Sequence, residues 1–502
     1  SGTFSNSTNT IQITTNGSGV ANAGIFTANN KTGAYTVTAT AGGVSATFNL
    51  TNLGKSQTTF ASLTTTAATI DVFGFGFTAP SGTLAFTDVT TSTPVVAPVT
   101  LNTSTAATAL TSQVTTSTGA NTLPCWTELA DVNGDGILDL ITSLYNTDSV
   151  TVQLGNGDGT FKAATTYLIA SGFGPAEVHA VSLGSSSSSS TVDLIVGSFN
   201  VNQIAVLVGN GDGTFGTPEF YTVGTSTNTP TSLTAGDFNH DGNLDVATAN
   251  TFNNNVSILL GHGNGTLSLP GAPTNVGRVP EAIRAGDFNG DGYSDLAVAN
   301  YSDGTVTILL NQQNGTFIGS GTPISVGSGA GSGPQALAIN GSGSSLLLAV
   351  ANYNDNTVSV MKSNGSGAFG AQTIVPVGKG PDDVNFADFN GDGIPDLAVS
   401  NYTDGTVNLA LGSSGGSYTV LGPFKVGNNP YSVAVGDLNL DGTPDVVVSN
   451  CFSNNTGVLL DGTQIAVSFS GLSLTVANKY SGTYTPDSNS KYGSSTSPNT
   501  TP

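Results

Sequence analysis

Five times along a chain of 502 residues, oxygen-bearing side chains recur at positions 1, 3, 5 and 9 of a short loop, with glycine at position 6. The first loop offers Asp131, Asn133, Asp135 and Asp139, plus the carbonyl of Ile137 at position 7. The second offers Asp237, Asn239, Asp241, Asn243 and Asp245, and the third Asp287, Asn289, Asp291, Tyr293 and Asp295. The fourth holds Asp388, Asn390, Asp392, Ile394 and Asp396, and the fifth Asp437, Asn439, Asp441, Thr443 and Asp445. An all-oxygen donor set with three carboxylates suits a hard cation of calcium size, whereas magnesium keeps more water and demands tighter octahedral geometry. Asp, Asn and Gly also make plain turns, but a turn does not require three carboxylates at fixed spacing. Without an ion, the converging carboxylates would repel one another and their pKa values would rise. About five calcium ions are therefore expected, which would bring the formal charge of −22 to about −12.

The elements that position these loops recur with a period of about fifty residues, and such a period is the signature of a repeat architecture. Two double gaps hold degenerate copies. One is VDLIVGSFN around Asp193, preceded by the serine run Ser185 to Ser190; the other is NGSGSSLLLAVANYN from Asn340, without acidic side chains. The total is seven repeats. Position 12 carries Thr142, Thr248, Val298, Val399 and Val448 rather than a bidentate Glu, and strand-like sequence follows, so these are not helix–loop–helix calcium sites. In the fourth repeat, EAIRAGDF alternates toward the loop, Leu296 to Tyr301 follows it, Thr305 to Leu310 forms a third strand, and Asn314–Gly315 turns the chain into a short fourth. Asn-Gly and Asp-Gly supply the positive φ that hairpin turns need. Four antiparallel strands in each of seven repeats predict an all-β chain with a seven-bladed β-propeller.

The acidic loop, the apolar strand after it and the GNGDGTF turn (Gly155 to Phe161, Gly209 to Phe215) resemble FG-GAP or VCBS repeats, as in integrin α-subunit heads and many large bacterial surface proteins. The resemblance runs over residues 110–462 and implies a calcium-binding propeller. The domain is placed at 109–462. Its last repeat ends near Gly462 after three strands, and residues 110–116 are expected to supply the fourth, leaving no open radial edge.

The flanks resemble Ig-like β-sandwich modules of bacterial surface proteins. Residues 56–108, with strands near 69–77, 82–88 and 95–101, look like the first half of one such domain. Residues 463–502 look like its second half and a C-terminal tail, so the propeller would be inserted into one loop of a split sandwich; two separate incomplete modules are the alternative. Residues 1–55 look like half of a further sandwich whose exposed edge another chain or segment would cover. A strand donated by another copy would give head-to-tail assembly into a filament; an excerpt of a longer adhesin would explain the same half.

Composition agrees with an extracellular β-protein. Charged residues make up 8% of the chain and Gly numbers 66, while 37% of residues are hydrophobic. The acidic excess excludes nucleic acid, which needs clustered Lys and Arg. No apolar run reaches the length of a membrane span, so no membrane insertion is expected. The chain opens on Ser1 without a signal-peptide pattern and is expected to be a processed product or a piece of a longer one. Cys125 and Cys451 fall at ends of strands on the same face of neighbouring blades, which permits a ring-closing disulfide; two buried thiols are the alternative. His179, His240 and His262 are scattered, and Glu128, Glu177, Glu219 and Glu281 look dispersed. No cluster for catalysis is visible and no enzyme is expected. The sequence points to a secreted, calcium-stabilised structural or adhesive surface protein. Its partners would be other copies of itself, in a filament or array, or neighbouring Ig-like modules. A lectin-like propeller that binds glycans or host cell-surface ligands is the alternative.

Overall fold

The computed structural model describes residues 2–4, 26–28, 33–41, 44–52, 56–64, 66–74, 79–103, 107–184, 191–224, 229–269, 271–470, 472–474, 477–487, 492, 494–497 and 499–501. The secondary structure of these residues is strand, with single turns of 3-10 helix at positions such as Tyr145–Thr147 and Cys451–Ser453. No helix among them is long and apolar enough to cross a membrane. The chain divides into two compact units: 112–438 with 444–459, and 1–111 with 439–443 and 460–502.

In the larger unit, seven first strands open on proline: Pro124–Ala130, Pro175–Val181, Pro230–Gly236, Pro280–Gly286, Pro334–Asn340, Pro381–Ala387 and Pro430–Gly436. Proline lacks an N–H and is tolerated at the first residue of a strand. Directly after it the register slips against the second strand in every sheet, for example between Pro280 and Ala282. Such a bulge sets two residues against one.

Six of the seven second strands, such as Asp139–Leu144 and Asp295–Asn300, are buried at all six positions, and in Leu347–Asn352 only Leu347 is half-buried. They do not alternate because sheets pack on both their faces. Five apolar clusters each join one sheet to the next, from Ile141 with Val178 in the first pair to Ala349 with Val384 in the fifth. A buried asparagine closes several of these strands: Asn300 Nδ2 donates to Thr305 Oγ1 (3.1 Å) and Thr307 Oγ1 (2.9 Å), and Asn401 to Thr406 Oγ1 (3.1 Å) and Asn408 Oδ1 (2.9 Å).

Each sheet runs in chain order, first strand to fourth, with antiparallel neighbours. Each first strand touches the first strand of the next repeat, and Pro430–Gly436 touches Pro124–Ala130, so the contacts form a closed cycle. In the last sheet, Pro430–Gly436 and Asp445–Asn450 are followed by Asn455–Ser470, beside which lies Ala107–Ser117.

In the smaller unit, Ala67–Gly74 pairs with Ser56–Leu63 on one side and with residues 463–470 on the other. Gly82–Asp88 pairs with Tyr480–Pro486, which also carries Ser495–Thr496. The two sheets enclose a core of Ile70, Val72, Leu84, Phe86, Tyr480 and Tyr484. Of residues 1–55, Gly2–Phe4 pairs with Phe26–Ala28 and Gly33–Ala41 with Val44–Asn52. The rest of the half-sandwich expected at 1–55 lies outside the described residues.

Candidate metal loops and the axial channel

Each acidic loop joins a first strand to a second, so its backbone must reverse within a few residues. Asp131 organises the first reversal: Oδ1 accepts the N–H groups of Gly134 (2.7 Å) and Asp135 (3.1 Å), and Oδ2 that of Gly136 (2.7 Å). Asn133 Oδ1 accepts the Asp135 N–H, and Asp135 Oδ1 the Ile137 N–H, both at 2.9 Å. Asp287 and Asp388 gather the same three N–H groups in their loops. Asp237 takes those of Asp241 and Gly242, and in the fifth loop the Asp441 N–H donates to Asn439 Oδ1 at 2.9 Å. Position 6 is left-handed throughout, with φ of 80° at Gly136 and 94° at Gly442. Position 4 is left-handed too, which the sequence did not reveal, because His240 (φ 62°) and Leu440 (φ 61°) hold it in two loops.

The aspartate at position 9 is fully buried and also pins the backbone. Asp139 Oδ2 accepts the Val132 N–H at 2.9 Å and Oδ1 the Gly155 N–H at 2.8 Å, pinning the loop to the end of the third strand. Asp245, Asp295 and Asp396 make the same pair of contacts, to Phe238 and Gly261, Phe288 and Asn311, and Phe389 and Gly412. Asp193 does so in the second repeat, which has no acidic loop. Burial pushes the Asp295 and Asp396 carboxyls up to about 6, against the pull of these N–H donors, and the aspartates at positions 1 and 5 add repulsion.

Among the described residues no three Asp, Glu, His or Cys side chains stand ready as a metal cage. The carboxylates at positions 1 and 5 are turned onto N–H groups of their own loops instead. The donor set still fits a hard cation. In the first four loops positions 1 and 3 are half-buried and position 5 is exposed, and every side chain there offers a carboxylate or amide oxygen. Positions 1, 3, 5 and 9 with the position-7 carbonyl would hold the ion, and position 9 would hold the loop as well, since each of its oxygens accepts one N–H and keeps a further lone pair.

A second constellation arises where the first strands meet. The residue after each opening proline lines one narrow cavity: Cys125, Ala176, Thr231, Glu281, Gln335, Asp382 and Tyr431. The next residues along, including Trp126, Glu177 and Ser232, line it as well. Consecutive residues of a strand normally point to opposite faces; the bulge brings both to the axis. Farther along, Glu128, His179, Arg284 and Asn385 surround a wider opening. His179 Nε2 lies 2.9 Å from Glu177 Oε1, and its Nδ1 3.6 Å from Glu128. Arg284 Nη1 is 2.9 Å from the same Glu177 oxygen, and its guanidinium stands 5.7 Å from the centre of the Trp126 ring. Burial opposes both charges, but Arg284 and His179 hold Glu177 at about 2, while Glu128 and Glu177 hold His179 at about 10. Glu128, Glu177, Glu281 and His179 are therefore not dispersed, as their sequence positions suggest; the closed cycle of first strands gathers them.

Cys125 and Cys451 are buried free thiols, and the Cys125 thiol donates to the Leu123 carbonyl at 3.4 Å. No disulfide joins them in this structure.

Six stretches, residues 99–182, 190–248, 240–298, 287–345, 339–399 and 388–448, match the family described as FG-GAP-like repeat. No curated protein matches the chain in sequence. Of solved structures, BBS1N in complex with ARL6DN is similar with a TM-score of 0.51 at 15% identity, over 70% of this chain and 96% of that one. A Bacteroides uniformis protein provisionally named a 6-phosphogluconolactonase is similar with a TM-score of 0.50 at 13% identity, over 72% of this chain and 93% of that one. Likeness at such identity concerns the propeller-like fold alone, and a shared fold does not carry an activity. With its all-β repeats, its recurring acidic loops and a match over most of its length, the chain belongs to the FG-GAP-like repeat family.

Proposed function

We propose that the chain is a secreted, calcium-stabilised structural or adhesive module of a cell surface. In this reading a seven-bladed propeller is inserted into an Ig-like sandwich and acts as a rigid bead, not as an enzyme. The observation that carries it is the pairing of Ala107–Ser117 with Asn455–Ser470. A strand from before the repeats seals the sheet after them, which fastens both ends of the repeat region and leaves no radial edge to unzip. The pairing of Ala67–Gly74 with residues 463–470 supports the split sandwich. The membership in a family common on extracellular proteins supports the location. Five ions, one in each acidic loop, would offset part of the net charge of −22. In an oxidising compartment Cys125 and Cys451 would be joined.

The partners in this reading are other copies, linked head-to-tail by strand addition at the half-sandwich of 1–55, or neighbouring Ig-like modules. The similar fold of BBS1N was solved in complex with ARL6DN, so such a scaffold can dock a protein. Electron microscopy of the full chain with calcium and with chelator tests the proposal. Filaments in calcium are expected; monodisperse particles under both conditions would sink the assembly. A lectin-like role is the second reading, favoured by Phe252 and Phe452, which are 72% and 57% exposed just beyond their second strands. Binding of monodisperse particles to a glycan array would support it.

A further inference from the structure

The narrow cavity at the proline end of the channel contains two acids that nothing neutralises. Asp382 is 7% exposed, and Glu281 is half-buried. Among the described residues neither has an ion-pair or hydrogen-bond partner, although both line the cavity. They occupy the same strand position two sheets apart. Gln335 on the sheet between them and Tyr431 on the next sheet bring further oxygens to the same space. The nearby cations are engaged elsewhere, since Arg284 and His179 both bond Glu177. Asp383 is satisfied by the N–H groups of Val384 and Val433. The Cys125 thiol faces the Leu123 carbonyl at 3.4 Å. In the same wall, Trp126 Nε1 is buried without an acceptor. Uncompensated buried carboxylates are costly; Arg284 lines the same cavity but is bonded to Glu177, so what these two acids lack is a positive charge of their own, and what Trp126 lacks is an oxygen acceptor.

Size narrows the choice. The cavity measures about 30 Å³, room for an ion with a water but not for an organic cation of any length. Carboxylate, amide and phenol oxygens suit hard cations. We propose that this cavity binds one small hard cation of the sodium or calcium class, through Glu281, Gln335, Asp382 and Tyr431, with a bound water accepting from Trp126 Nε1. It is a different site from the acidic loops. Trp126 precedes Asp131 by five residues, about 16 Å along an extended strand, and the loops lie at the far ends of the first strands.

Trp126 is the one tryptophan of the chain and lines both this cavity and the wider opening beside it, so the cavity variants decide which of the two its signal reports on. The experiment is terbium titration of the full chain, with excitation selective for tryptophan. Sensitised emission is expected, and excess calcium should displace it. Asp382→Asn and Glu281→Gln should each weaken terbium binding about 100-fold, at least what outer partners of metal sites cost. Asp291→Asn, which alters an acidic loop, should leave the signal unchanged. Circular dichroism establishes that each variant is folded, and two near-isosteric variants guard against the loss of one. Absence of sensitised emission in the wild-type protein would overturn the proposal, as would emission that survives both cavity variants or disappears in Asp291→Asn. The acids would then be neutralised by protons. A melting temperature that stays unchanged when loop-bound calcium is lost, with the cavity signal intact, would count against the stabilising role of the loops and leave this site standing.

Discussion

Asp193 Oδ1 accepts the N–H of Gly209 at 2.8 Å, the same bond that Asp139 makes to Gly155 at 2.8 Å, although the repeat around Asp193 has no acidic loop. The position-9 aspartate is thus a backbone pin even where the acidic loop is absent. Asp193→Ala should destabilise the protein by about 1–3 kcal/mol, since it leaves buried N–H groups without an acceptor. Denaturant melts should return that loss equally in calcium and in chelator. A loss seen only in calcium would mean that Asp193 acts through an ion after all.

Calcium removal bears on the five loops together. If the ions bind the folded state alone, calcium at about 100 times its dissociation constant stabilises by roughly 2.7 kcal/mol for each site. Chelator should therefore lower the melting temperature, and calorimetric titration should count about five loop sites. Asp291→Asn should lower that count by one. An unchanged melting temperature in chelator would remove the structural role assigned to these loops.

Gly136 sits at φ 80° with no atom near enough to touch an added Cβ. Gly136→Ala therefore isolates backbone strain from steric clash, and should cost about 1–2 kcal/mol. His240 already tolerates φ 62° at position 4, so His240→Gly should be close to neutral or mildly stabilising. Urea melts of both variants check this. A Gly136→Ala protein as stable as the wild type would show that the loop relaxes out of the left-handed conformation.

The channel ion network sets a pH dependence of known sign. Burial would lower the His179 pKa, but Glu128 and Glu177 outweigh it and hold it at about 10, against 6.5 in an unfolded chain. A raised histidine pKa stabilises fully below 6.5 and loses that contribution as pH rises through 10. Glu177, held at about 2 against 4.5, contributes above 4.5 and loses its share as pH falls through 2. Thermal melts from neutral pH upward should show the wild-type protein losing stability that His179→Gln never had. Parallel curves for the two proteins would assign the alkaline loss to other groups.

The sequence by itself determined what is local. The acidic loops, the Asn-Gly and Asp-Gly turns and the strands after them are built from residues a few positions apart, and a repeat writes the same contacts many times. The all-β character and the family were legible for that reason. The backbone contacts of Asp139, Asp245, Asp295 and Asp396 were not, because their second partner lies beyond a further strand, as Gly155 does for Asp139. A sequence comparison with Asp193 alone, an aspartate kept where the loop is lost, holds the hint. Only the tertiary structure decided the axial channel. Glu177, Arg284 and Asp382 come from separate repeats and share no motif, and only the closed cycle of first strands brings them to one place. The bulge after each opening proline also breaks the two-residue alternation on which strand faces are assigned, so Trp126 and Cys125 face the same cavity when simple alternation would separate them.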